Sequence, residues 1–316
     1  MSIRTAPVVM SKRKRHVVRI STRPLHLMLL PAVLLVFIYS YLPMAGNVIA
    51  FMKFDIYKGI AAFWSSKWVG FGNYIELISM GDPLIALANT VKISVFKILF
   101  GLLVPIVVAL LLNEVRRNRV KRVLQTVVYM PHFLSWVILA GILKQVLSSE
   151  GIANNLIMAL GGSKIPFLQS NTWFVPTLII TDVWKNFGFN TIVYLAAITS
   201  IDPTFYEAAI VDGASRWKQT LHVTLPGMMS IIVLTAVLSL QGVLNAGFDQ
   251  VFNLYSPQVY KTADIIDTIV YRISFQSTTP LYDLATAIGL FKSVVSLVLI
   301  STSYWLAYRY ANYQIF

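Results

Sequence analysis

Apolar stretches of similar length recur along this chain, separated by shorter polar ones. Six of them stand out, at residues 26–49, 89–112, 126–147, 173–199, 226–247 and 284–308. A helix needs roughly 20 apolar residues to cross the hydrocarbon core of a bilayer. Backbone groups in lipid must satisfy one another within the segment, so helices are the expected form. The pattern predicts an all-α polytopic membrane protein with six transmembrane helices. Pro31, Pro43, Pro105, Pro131 and Pro176 lie inside or at the ends of these stretches and predict kinks, which packing against neighbouring helices tolerates.

The polar segment between the fourth and fifth stretches reads EAAIVDGASRWKQTLHVTLP, residues 207–226. Upstream, Asp202-Pro203 predicts a helix start, because proline loses nothing at the first helical position. Thr204 and Glu207 have the spacing of a capping box. Phe205, Ala208, Ala209 and Val211 give a short apolar face that the two alanines keep slim. Gly213 permits a sharp turn, and Ser215 is placed to cap a second short helix carrying Arg216, Trp217 and Lys218. Pro226 then opens the fifth span. The segment reads either as a plain amphipathic connector or as a helix that slots into a groove on another protein.

Composition supports the membrane assignment. Of 316 residues, 57% are hydrophobic and 12% charged, about half the charged fraction usual in soluble domains, and mean hydropathy is +0.69. A net charge of +13 would suggest nucleic acid in a soluble protein, but its distribution points elsewhere. Fifteen Lys and Arg fall in the N-terminal arm (residues 1–24), around residues 116–122, at Arg216 and Lys218, and at Arg309. The intervening, longer loops hold six: Lys53, Lys58, Lys67, Lys164, Lys261 and Arg272. Cytoplasmic loops carry the Lys and Arg excess. Both termini and the 207–226 segment are therefore expected in the cytoplasm, with the basic arm attracting anionic lipid rather than nucleic acid. The first apolar stretch is too long, and lacks the small-residue cleavage site, of a cleavable signal peptide. Cysteine is absent, and the four histidines lack ligand spacing, so no metal site is expected.

Other chemistries are missing. No G-x-x-x-x-G-K-[ST] phosphate loop occurs, so any ATP is hydrolysed elsewhere. No H-E-x-x-H or G-x-S-x-G motif supports an intramembrane enzyme. A self-sufficient secondary transporter or channel would show inverted repeats and mid-membrane carboxylates, and no internal repeat is evident.

The EAA triplet at Glu207, Ala208 and Ala209, Gly213 six residues after Glu207, and the closing Leu225-Pro226 resemble the signature of the permease subunits of bacterial ABC importers. Val223 stands where that family usually has Ile, a change that keeps a β-branched apolar side chain. LHLMLLPAVLLVFIYSYLPMAGNVIAFMKFDIYKG, WVGFGNYIEL and GIANNLIMALGG extend the likeness to permeases of the maltose-type carbohydrate uptake family, the oligosaccharide-transporting subgroup. The resemblance implies a type I importer permease fold, within residues 25–316, in the bacterial cytoplasmic membrane. It makes residues 202–226 a coupling segment that seats in a cleft of a cytoplasmic ATPase dimer and moves when ATP closes it. Glu207, Ala208, Ala209 and Gly213 carry over as that contact, with Asp212, Ala214 and Arg216 flanking. Gly213→Asp is expected to uncouple transport while sparing insertion. The further partners implied are a second, homologous permease and an extracytoplasmic solute-binding protein. No cofactor is expected on this chain, ATP and Mg belonging to the ATPase.

Polar groups inside a membrane are costly and mark function. Lys92 and Lys144 lie near outer ends and are expected to snorkel. Lys97, Lys185 and Lys292 lie deeper. Asp182, one turn from Lys185, is placed to neutralise it. Trp184, Lys185, Asn186 and Asn190 mark the fourth span, while Gln241, Asn245 and Asp249 recur at four-residue spacing along one face of the expected fifth. Amides, carboxylates and flat aromatic rings bind sugars, so these residues, with Lys97 and Lys292, are the pathway candidates. Cations at depth would favour an acidic, uronate-type oligosaccharide. Trp64, Trp68, Phe71 and Tyr74, and Tyr255, Tyr260 and Tyr271, populate the outer loops as interfacial anchors or as a docking surface.

Overall fold

The computed structural model describes residues 23–311; residues 1–22, which hold most of the basic arm, lie outside it. The chain divides into two compact units, Met1–Asn47 and Val48–Phe316. In the first, α1 (Arg23–Val36) continues through a π turn at Phe37–Tyr41 and a further helical turn at Leu42–Met44. The apolar window within His26–Phe51 has none of its residues buried. A helix that is apolar all round and bare belongs in lipid.

The second unit begins with an aromatic knot. Strands β1 (Met52–Lys53) and β2 (Lys67–Trp68) pair antiparallel, and Phe51 stacks on Trp68 at 5.9 Å while meeting Phe71 edge-on at 5.7 Å. Buried Asn73, on α2 (Gly72–Met80), donates to the carbonyls of Ala50 and Met52. Several of the expected outer-loop aromatics thus pack on one another.

The next helix, α3 (Asp82–Asn113), starts seven residues before the expected 89. Asn89 and Thr90 are not its boundary: the Asn89 amide donates to the carbonyls of Lys261 and Asp264, and the Thr90 hydroxyl accepts from the Ile266 backbone. Its most extensive partner is α6 (Phe174–Thr199). Ala109, Leu112, Tyr194, Leu195, Ile198 and Met228 form one core cluster of that pair. Leu139, Leu143, Phe174, Leu178, Val251 and Leu254 belong to a second.

The third span departs most from expectation. Instead of one helix over 126–147, α4 (Asn118–Tyr129) and α5 (Trp136–Val146) meet at a bend of 102° across residues 130–135. Pro131 removes a donor there, and Ser135 caps the new helix by accepting from the Ile138 backbone. The fifth span also breaks. Residues 216–227 and α9 (Met229–Leu240) meet at 57°, and α9 ends at Leu240 rather than 247. Gly247, at φ +88°, starts α10 (Phe248–Leu254). The chain closes with α11 (Ile266–Tyr271) and α12 (Tyr282–Ala311).

Among the described residues, three helices are long and apolar enough to cross a membrane, or five when each bent pair counts as one span. The expected fourth span, α6, is a continuous 26-residue helix with half its residues buried in protein. Its polar side chains therefore face helices more than lipid.

Candidate functional site

The segment that follows α6 is built almost wholly by local rules. Asp202, not Thr204, caps α7 (Pro203–Val211), its carboxylate accepting from the Thr204 backbone at 2.9 Å. That N–H, with the Thr204 hydroxyl, holds the exposed carboxyl below its ordinary pKa. The expected capping box of Thr204 and Glu207 does not form, because the helix has already begun at Pro203, which leaves Glu207 exposed and out of the cap.

At the other end Gly213 adopts φ +71°. Its N–H bonds Ile210 and that of Ala214 bonds Ala209 at 2.8 Å, the paired bonds of a Schellman stop. As expected, Ser215 caps the next helix, α8 (Arg216–Gln219), by accepting from the Lys218 backbone.

No residue of α7 is buried. Val211 is 87% and Trp217 70% exposed, with Phe205 and Ile210 also bare. Glu207, Ala208, Asp212, Gly213 and Arg216 are exposed, and Ala209 and Ala214 half-buried. Behind this face the segment is pinned. The Tyr206 hydroxyl meets that of Thr224 at 3.0 Å, and the Gln219 amide donates to the Ala214 carbonyl. Gly227 passes so close to Ile201 that a Cβ there would fall 2.6 Å from Ile201 Cδ1. A slim helix pair is thereby held as a unit and presents apolar side chains to whatever lies opposite.

The deep lysines are engaged, each by a different element. Lys185, 7% exposed, donates to the His132 carbonyl at 2.7 Å in the bend between α4 and α5 and lies over the Trp136 ring. Asn186 meets His132 Nδ1 at 3.1 Å, and the imidazole stacks on Phe189 at 4.2 Å. Lys97, 9% exposed, donates to the Ala246 carbonyl at 2.7 Å and to Gln250 Oε1, while Asp182 stands 3.5 Å away. The Gln250 amide in turn donates to the Leu178 carbonyl and Thr181 hydroxyl. Lys292 pairs with Asp267 at 2.5 Å.

The expected Asp182–Lys185 pair is therefore replaced. Asp182 turns to Lys97 on α3, and Lys185 to a carbonyl freed by the break in the third span. Gln241, Asn245 and Asp249 do not share a helix face either. Gln241 caps the end of α9, Asn245 lies in the turn, where its side chain accepts from the Gly247 backbone, and Asp249 sits in the first turn of α10. The helix stops at Leu240 and a turn over residues 241–244 follows, before the left-handed Gly247 starts α10.

Of the pathway candidates, Trp184 is exposed on α6, and Asn190 lines a cleft of about 280 Å³ between α3, α6 and α9, with Gly101, Tyr194, Thr235 and Ser239. The Tyr194 hydroxyl meets that of Thr235 at 2.9 Å. The sequence pattern did not single out Thr235, Ser239, Tyr194 or His132. Thr235 and Ser239, four apart in a helix whose one other polar residue is Ser230, were the available signal.

Comparison with known proteins matches residues 101–311 to the family described as "Binding-protein-dependent transport system inner membrane component". Protein LplB of Bacillus subtilis (strain 168) is 40% identical over 92% of this chain and 91% of its own length. The polygalacturonan/rhamnogalacturonan transport system permease protein YteP of the same organism is 38% identical, over 96% and 94%. Among solved structures, a bacterial ABC transporter involved in the import of the acidic polysaccharide alginate has a chain that is 38% identical. It superposes with a TM-score of 0.83 over 92% of this chain and 96% of that one.

Proposed function

The chain belongs to this family of binding-protein-dependent inner membrane components as a multi-pass permease subunit of an ABC sugar importer, and we propose that its cargo is an acidic oligosaccharide. The relatives named for polygalacturonan/rhamnogalacturonan and for alginate support the acidic class. The deep lysines do not, because each is already held by a carbonyl or carboxylate of this chain.

Residues 202–226 are the coupling segment, and one observation carries this: a bare, doubly capped helix pair pinned from behind by Tyr206–Thr224 and Ile201–Gly227. Glu207, Ala208, Ala209 and Gly213 form the contact with a cytoplasmic ATPase that binds ATP and Mg, flanked by Asp212, Ala214 and Arg216. Both termini lie on that same side, consistent with the Lys and Arg distribution. Residues 25–316 form the permease domain. Within it the sugar passes along the α3–α6–α9 cleft at Asn190, with Thr235 and Ser239 as hydroxyl partners. A ligand that binds the two states unequally is what shifts such a switch; the closed ATPase dimer is that ligand here.

The test is reconstitution of the four-component complex in proteoliposomes. Uronate oligosaccharides should stimulate ATP hydrolysis and enter; stimulation by neutral oligosaccharides alone would overturn the acidic assignment. Cysteine pairs placed at Ala208 and on the ATPase should crosslink in an ATP-dependent manner, and absence of crosslinks in an active complex would remove the coupling assignment.

A further inference from the structure

A second cleft, of about 770 Å³, opens between three segments: residues 144–150 at and beyond the end of α5, 166–169 before α6, and 254–258 at and beyond the end of α10. Its size is within the ~300–1,000 Å³ typical of small-molecule sites. None of its wall residues is shared with the Asn190 cleft. One crossing of α6 separates its loops from the coupling segment, so it lies on the opposite, extracytoplasmic side.

The loops are tied down before any ligand arrives. Asn154, fully buried, donates to the carbonyls of Ser148 and Ile165 and accepts from the Ile165 backbone, which joins two of the three. Gly151 allows the first loop to fold back on its own helix, since a Cβ there would stand 2.4 Å from the Gln145 and Val146 carbonyls. The third loop is fixed by the Asn171 amide donating to the Gln258 carbonyl and by buried Leu254 and Val259. Tyr255 packs on Tyr260 at 5.0 Å, and Arg272 covers Tyr260 at 4.5 Å while bonding Asp264. Burial, and then the neighbouring Tyr260, push the Tyr255 phenol up to about 12.

The lining chemistry is that of a sugar site. Gln169 and Gln258 offer exposed amides, and Tyr255 a flat ring. Lys144 and Glu150 supply one charge of each sign, and neither makes an ion pair among the described residues. The Ser256 hydroxyl is buried without a partner among the described residues, a costly state.

We propose that this cleft is an outer carbohydrate subsite, which holds the trailing sugar units of an oligosaccharide while the leading units occupy the transmembrane pathway. The proposal rests on the carbohydrate reading above. A rigid, preformed site of this kind loses little ordering entropy on binding. It adds affinity for long chains that short ones cannot use.

The double variant Gln169→Ala/Gln258→Ala tests it, because both side chains are exposed and neither supports the fold. In the full complex, KM for pentagalacturonate should rise about fivefold, the equivalent of one or two lost hydrogen bonds. KM for digalacturonate should stay unchanged. Saturation-transfer NMR on the complex without its binding protein should show pentagalacturonate contacts that the variant loses. Equal KM values and unchanged saturation transfer would overturn the subsite. So would a loss common to both lengths that tracks weakened binding-protein affinity, since the cleft would then be a protein contact. If wild-type complex imports no oligosaccharide at all, the carbohydrate function fails, and saturation transfer with pentagalacturonate and maltopentaose still decides whether the cleft binds sugar.

Discussion

The 202–226 segment and the backbone breaks at residues 130–135 and 241–247 are all irregular, yet they are stabilised in opposite ways. Residues 202–226 find nearly all their partners within twenty-five residues: Asp202 with Thr204, Gly213 with Ile210, Ser215 with Lys218, Tyr206 with Thr224. The broken spans draw theirs from distant helices. Lys185 reaches back 53 residues to the His132 carbonyl, and Lys97 reaches forward 149 to that of Ala246. The difference follows from solvent. Water finishes the bonding of an exposed turn, whereas a break in a helix surrounded by lipid needs a donor from the protein itself. One region can move as a unit without unmaking the fold; the other is part of the fold.

The largest expected effect comes from attacking the long-range side. A Cβ at Gly188 would stand 2.1 Å from the Val128 carbonyl, where α6 crosses the end of α4. Gly188→Val should cost at least about 3 kcal/mol, the upper end for overpacking, and should abolish the monodisperse complex on size-exclusion chromatography; a normal profile would show that the crossing yields easily.

Next in size, Lys97→Met leaves Asp182 half-buried without its cation and the Ala246 carbonyl without a donor. The loss should be about 2–3 kcal/mol, below the full cost of breaking a wholly buried pair because Asp182 retains some solvent. Adding Asp182→Asn should recover part of it in thermal unfolding. Additive losses would mean that the two residues do not interact.

Gly213→Val belongs to the local side. The site has open space around it, but its φ of +71° strains a β-branched residue by about 1–2 kcal/mol. Transport should fall while the complex assembles and its ATPase persists, and normal uptake would remove the turn from the coupling mechanism. Gly213→Asp should uncouple transport with less backbone strain than Val, since Asp tolerates left-handed backbone better than most residues.

The smallest effect is expected at Asp202. Its lowered carboxyl pKa means that the cap contributes at neutral pH and is lost only as pH falls through and below the ordinary carboxylate range. Asp202→Ala should slightly raise amide exchange in α7 at pH 7 and make no difference at pH 2. A pH-independent difference would exclude the charged cap.

What could be read from the sequence tracks the same divide. Pro203, Gly213 and Ser215 announced the helix pair because capping and left-handed turns are nearest-neighbour chemistry. Only the capping box of Thr204 and Glu207 fails to form, since Asp202 takes that cap. The four-residue spacing of Gln241, Asn245 and Asp249 was real but misleading, because periodicity predicts a shared face only while the helix continues. Asn89 and Thr90 looked like a boundary because their partners at Lys261, Asp264 and Ile266 lie some 170 residues away.

The sequence by itself determined that the chain lives in a membrane, that its long segments are helices and that one short segment is a pair of capped helices meeting at a glycine turn. Each of these follows from residue type and local spacing. Tertiary structure alone decided where the third and fifth spans bend, which carbonyl or carboxylate each deep lysine serves, and that Asn190, Thr235 and Ser239 line one cleft. Those outcomes depend on which freed backbone group comes to lie beside which donor, and only packing sets that.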